Sequence, residues 1–152
     1  MTPEAQLRTF MAKYTPEIRS RANAAIKKMR ARLPGAFELV YDNYNALVVG
    51  FGPSERSSDA IFSIVLYPRW VTLFFLTGKG LPDPEKLLKG DGVQVRHVVL
   101  ESAATLDRPA IQALMKAALE RSEPIPSSKR RHLIIKSISA KQRPRRPNPR
   151  RQ

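Results

Sequence analysis

At 152 residues, 42% of them hydrophobic, the chain is long enough for one domain with a single core; it has no cysteine, which excludes disulfides, zinc knuckles and thiol nucleophiles and makes a cytoplasmic location the expectation. Lys and Arg number 27 against 13 Asp and Glu, a formal net charge of +14. Ten of these cations (Lys129, Arg130, Arg131, Lys136, Lys141, Arg143, Arg145, Arg146, Arg150 and Arg151) fall in residues 127–152 with no acid among them, leaving 17 basic and 13 acidic residues, or +4, in residues 1–126.

Thr2-Pro3-Glu4 orders an N-cap, a first-turn proline and an acid that favours the helix dipole, so a short helix is predicted to about Lys13. A secretory leader needs a basic start and a continuous apolar stretch, and none is expected here. Thr15-Pro16-Glu17 repeats the capping device and opens a second helix. Ile18, Ala22, Ala25, Ile26, Met29 and Leu33 form its apolar stripe, and Pro34-Gly35 ends it. The opposite face, with Arg19, Arg21, Lys27, Lys28, Arg30 and Arg32, reads as a solvated face in preference to a binding site.

From Phe37 the period shortens to two. Residues 37–41 and 47–51 flank the polar turn 42–45 and predict a hairpin; residues 60–67 and 70–76, joined at Pro68-Arg69, predict two further strands of an antiparallel meander. The apolar runs 61–67 and 71–76 are far shorter than the ~20 residues of a membrane-spanning helix, and no membrane partner is expected. Both faces of these two strands are apolar, which predicts helices over one side of the sheet and a loop, tail or partner over the other. Asp83-Pro84-Glu85 is predicted to cap one helical turn, residues 94–100 to form a fifth strand, and Asp107 to cap a last helix over 108–121.

Residues 133–139 are strand-like and apolar, flanked by cations, and are predicted to add to a sheet edge. Beyond them Pro144, Pro147, Pro149 and the remaining cations predict a disordered arm over 141–152. The expected organisation is an α+β domain over 1–126 and a basic tail over 127–152.

Residues 33–44 (LPGAFELVYDNY), the stretch Tyr67-Pro68-Arg69-Trp70, Leu81-Pro82-Asp83-Pro84 and Leu87-Leu88-Lys89-Gly90 occur in an order that resembles the YdhG-like family, a domain of unknown function. The resemblance covers about residues 15–121. It implies a curved antiparallel sheet of about five strands packed with N- and C-terminal helices, and no established enzyme activity. It also implies, for one branch of the family, a frataxin-like role as an iron chaperone.

The residues themselves supply no catalytic, cofactor or metal motif. Asp83, Glu85 and Asp91 have complete explanations as caps and turns, and His97 and His132 lack ligand-spaced partners. Gly50-Phe51-Gly52 and Gly78-Lys79-Gly80 lack the context of a phosphate loop, and Ser54, Ser57 and Ser58 lack a nucleophile elbow. No cofactor is expected. One cluster combines aromatic walls with directional polar groups, namely Tyr41, Asn43 and Tyr44 with Arg69 and Trp70, and is the candidate pocket for a small molecule or protein; ordinary turn chemistry is its competing explanation. The tail cations are the candidate surface for nucleic acid or another polyanion, against the alternative of a solubilising terminus. With no aromatic residue in the tail for base stacking, such binding is expected to be weakly selective. The leading expectation is a non-enzymatic binding module; the alternative is the iron chaperone.

Overall fold

The computed structural model describes residues 1–148. Within them lie helices α1 (Pro3–Met11), α2 (Pro16–Arg32) and α3 (Pro109–Glu120) and strands β1 (Phe37–Asp42), β2 (Leu47–Gly52), β3 (Phe62–Leu66), β4 (Val71–Phe75), β5 (Arg96–Leu100) and β6 (His132–Ile138), an α+β fold. Thr2 and Thr15 cap α1 and α2 as their spacing predicts, their hydroxyl oxygens accepting from the N–H groups of Ala5 and Ile18 at 3.1 and 3.3 Å. The start of α3 differs from expectation. Arg108 holds the N-cap position without a side-chain bond, because Asp107 instead pairs with Lys28 at 2.8 Å and with Arg32. Asp83 likewise caps a turn and not a helix, its two carboxylate oxygens accepting from the N–H groups of Leu87 and Leu88 at 2.9 Å each.

The sheet runs β5-β4-β3-β2-β1-β6, antiparallel throughout except that β6 lies parallel to β1. Register brings Val40, Val49, Ile64, Leu73 and Val98 into one row across one face. All five belong to a single core with Leu7 and Met11 of α1, Ile26 and Met29 of α2, and Ile111 and Leu114 of α3. The helices therefore cover that face, and the opposite face carries none of them. There Leu39, Gly50, Ser63, Phe74 and His97 form the corresponding row.

β6 adds a sixth strand at an edge of the expected sheet of about five, as predicted for residues 133–139. A parallel partner needs a long connection, and the chain crosses from one sheet edge to the other through α3 and residues 121–131. Gly35 lets that crossing pass closely, since a Cβ there would stand 1.7 Å from the Pro126 carbonyl oxygen. The arm expected to be disordered from residue 141 is also different through residue 148. Arg145 is buried and Arg146 bonds to the backbone of Ala12 and Lys13, so this stretch is held against the domain. Arg150 and Arg151 lie outside the described residues. Among the described residues no helix is long and apolar enough to cross a membrane.

Candidate functional site

In a meander, turns two strands apart fall at the same end of the sheet. The β1–β2 turn, closed by Asn43 N–H to the Ala46 carbonyl at 3.0 Å, therefore lies beside the β3–β4 turn, closed by Tyr67 N–H to the Trp70 carbonyl at 2.9 Å. Because β6 runs parallel to β1, it delivers the C-terminal segment to this same end. Ser139 N–H donates to the Asp42 carbonyl at 2.9 Å and Arg143 N–H to the Tyr44 carbonyl at 2.8 Å. The segment thus lies along the β1–β2 tip.

Its anchor is Arg145, 5% exposed, whose Nη2 lies 3.0 Å from the carboxylate of Asp42, itself fully buried. The guanidinium also donates to the carbonyls of Asn43 and Tyr44 and sits 5.8 Å from the centre of the Tyr14 ring. Lys13 approaches the other carboxylate oxygen at 2.6 Å, and Gln142 accepts from that ammonium at 2.7 Å. Two cations around one buried carboxylate explain why a charged residue can leave water here. Tyr14 is fully buried alongside; its hydroxyl donates to the Leu66 carbonyl at 2.9 Å and accepts from Leu47 N–H at 3.1 Å. Burial pushes its phenol above the ordinary value of 10, with Asp42 and Tyr67 adding to the rise and Arg145 and the Leu47 N–H opposing it.

A second ionic cluster holds the other end of the tail. The buried Glu38 carboxylate meets Arg30 at 2.8 Å and Arg131 at 3.8 Å, and Arg131 also reaches Glu4 at 2.8 Å. Burial alone would lower the Arg30 guanidinium, but hydrogen bonds and charge from Glu38 and Glu4 hold it above its ordinary value. At Asp107 the hydrogen bond from Lys28, with further charge from Lys28 and Arg32, holds the carboxyl below its ordinary value.

The eight tail cations among the described residues thus divide. Arg131 and Arg145 are paired with carboxylates, and Lys136 donates to the Glu55 carbonyl at 3.0 Å. Lys129, Arg130 and Lys141 are exposed. Arg143 lies 5.6 Å from the centre of the Tyr44 ring, and Arg146 shares a depression of about 460 Å³ with Arg69, Trp70 and Pro144.

The five residues of the predicted pocket do not form one cavity. Tyr41 bonds Ser57 over the helix-free face. Asn43 and Tyr44 border a groove of about 520 Å³ on that face. Arg69 and Trp70 border the depression beside the C-terminal segment. What joins these sites was not anticipated: Tyr67, 5.9 Å from Trp70 ring to ring, and Asn45 line both the groove and an adjoining cleft that holds Trp70 and Arg143. The groove walls are Val48, Val65, Phe74 and Leu76, with Ser63 among them. Their signal in the sequence was the apolar character of both faces of β3 and β4.

Among the described residues no group of three or more His, Asp or Glu side chains is placed to hold a metal ion. His132 stacks on Phe37, with ring centres 4.3 Å apart, and His97 lies 5.4 Å from Phe74. Comparison with protein-family models, with curated proteins and with solved structures finds no match to this chain.

Proposed function

We propose that this protein is a non-enzymatic module that binds single-stranded nucleic acid at the hairpin end of its sheet. The observation that carries the reading is the pairing of exposed aromatic faces with tail cations. Tyr44 and Trp70 are 49% and 47% exposed, and Arg143, Arg146 and Arg69 surround them. Arginines along a surface attract a phosphate backbone, and exposed rings offer platforms to unpaired bases whatever their identity. Folding supplies from the β3–β4 and β1–β2 turns the aromatics that the tail lacks. Among the residues lining these hollows, Glu17, beside Arg69 and Pro147, is the one acid.

Trp70 is the only tryptophan in the chain, so it reports directly on this surface. Titration with single-stranded oligonucleotides is expected to quench its fluorescence. Separately, a labelled strand followed by anisotropy should bind Trp70→Ala about fivefold to a hundredfold more weakly, the range for losing one stacked base. Unchanged affinity in Trp70→Ala and in the triple variant Arg69→Ala/Arg143→Ala/Arg146→Ala would overturn the reading. The iron-chaperone alternative draws no support from the donors present, since the two histidines pack against phenylalanine rings and Asp83 is engaged by its turn.

A further inference from the structure

The groove on the helix-free face has a chemistry different from its rim. Its polar groups are the amides of Asn43 and Asn45 and the hydroxyls of Tyr44, Ser63, Tyr67 and Ser139, and no Asp, Glu, Lys, Arg or His lines it. A charged group entering it would lose hydration with no opposite charge in return, so the part of a ligand held inside must be neutral. Val65 and Phe74 offer it apolar contact. At the hairpin end Asn43 accepts from Ser137 through its side-chain oxygen at 3.2 Å, which leaves its amide nitrogen to donate. Just outside, Arg143 lies over Tyr44, itself part of the groove lining, and places a cation at the mouth.

A neutral body with a hydrogen-bonding edge, joined to an anion that remains outside, describes a nucleobase on its phosphate. We infer that the groove receives one or more unstacked bases of the bound strand, held against Val65 and Phe74 and read at the edge by the Asn43 and Asn45 amides. This rests on the nucleic-acid reading and adds to it an interior base site, distinct from stacking on exposed Trp70. At about 520 Å³ the groove falls within the usual range for a small-molecule site. An A-form or B-form duplex keeps its bases stacked inside, so the site selects single strands.

The test uses the full chain and three probes of equal phosphate number: a natural single-stranded oligodeoxynucleotide, the same backbone with abasic residues throughout, and inorganic polyphosphate. The natural strand is expected to bind about tenfold or more tightly than the abasic one. Val48 is half-buried in the groove wall, and Val48→Phe, which keeps strand propensity while filling the space, should cut that ratio severalfold and leave abasic binding unchanged. Asn45→Ala, at an exposed turn position, should alter the preference among homopolymers and covers the case in which Val48→Phe melts early. If Val48→Phe and Asn45→Ala both fold and leave the ratio and the preference intact, bases stack only on the rim and the groove site is wrong. Equal, salt-sensitive binding of all three probes would remove the groove site and leave a polyanion binder; no binding of any probe would remove both readings.

Discussion

Arg145 shows how a residue that reads as a mobile cation becomes part of the core. Its guanidinium is hidden against Asp42 and its Nε is buried without a hydrogen-bond partner among the described residues, so the ion pair, with the bonds to the Asn43 and Tyr44 carbonyls, must offset the desolvation. Arg145→Met is expected to lower the unfolding free energy by about 3 kcal/mol, the low end of the range for a broken buried pair because Lys13 still faces Asp42. Adding Asp42→Asn should recover part of that loss, a coupling measurable in a denaturant double-mutant cycle. Strict additivity would mean that the pair contributes nothing. Tyr14, in the same cluster, makes a pH prediction. Its folded-state pKa lies above its unfolded value, so its stabilising effect is complete below about pH 10 and is lost as pH rises through the higher folded value. Alkaline melts should show that loss in the native chain, and Tyr14→Phe should flatten it; identical alkaline limbs would sink the assignment.

β6 changes what the tail means at the level of elements. It pairs with β1 along its whole length, apart from one register shift between Val40 and Tyr41, and places Leu133 and Ile135 against the core. A chain ending at residue 126 would leave β1 as an unpaired apolar edge and Glu38 without Arg131. That truncation is expected to aggregate or unfold. A chain ending at residue 140 should fold with a lowered melting temperature, because it keeps β6 and loses the Arg145 anchor together with the bonds of Gln142, Arg143 and Arg146 to the domain. Equal stability of the two truncations, read by thermal melts and size exclusion, would contradict this division. Binding by the tail is therefore better probed by substituting Arg143 and Arg146 than by deleting residues 127–152.

At the scale of the whole molecule, the tail cations among the described residues are not spread over a free arm. Arg131 and Arg145 are consumed in ion pairs, while Arg69, Arg143 and Arg146 gather with Tyr44 and Trp70 at the hairpin end. The oligonucleotide titration repeated at rising salt should follow this layout. Each of the three arginines that contacts a phosphate should contribute about −0.7 to the slope of log affinity against log salt, and each alanine substitution should remove that share.

The local elements were legible because their causes are local. Thr2 and Thr15 with their following prolines, the α2 stripe from Ile18 to Leu33, the alternation through residues 37–41 and the proline-marked turn at Pro68 each act within a few residues. The apolar strand near residues 133–139 was legible for the same reason, as was its need for a sheet edge. Which edge it takes, and in which direction, only the tertiary structure decided, since nothing near residue 133 encodes β1 as its partner. The same holds for Asp42 and Arg145, 103 positions apart, where a charge pattern that signals solvent in sequence is reversed by one buried carboxylate. Of the predicted pocket, the sequence alone determined the residue types, and Asn43, Tyr44, Arg69 and Trp70 do reach one end of the sheet. That they border a groove and a depression joined through Tyr67 and Asn45, and that tail arginines complete the surface, follows from strand parity and the parallel course of β6, which exist only once the chain is folded.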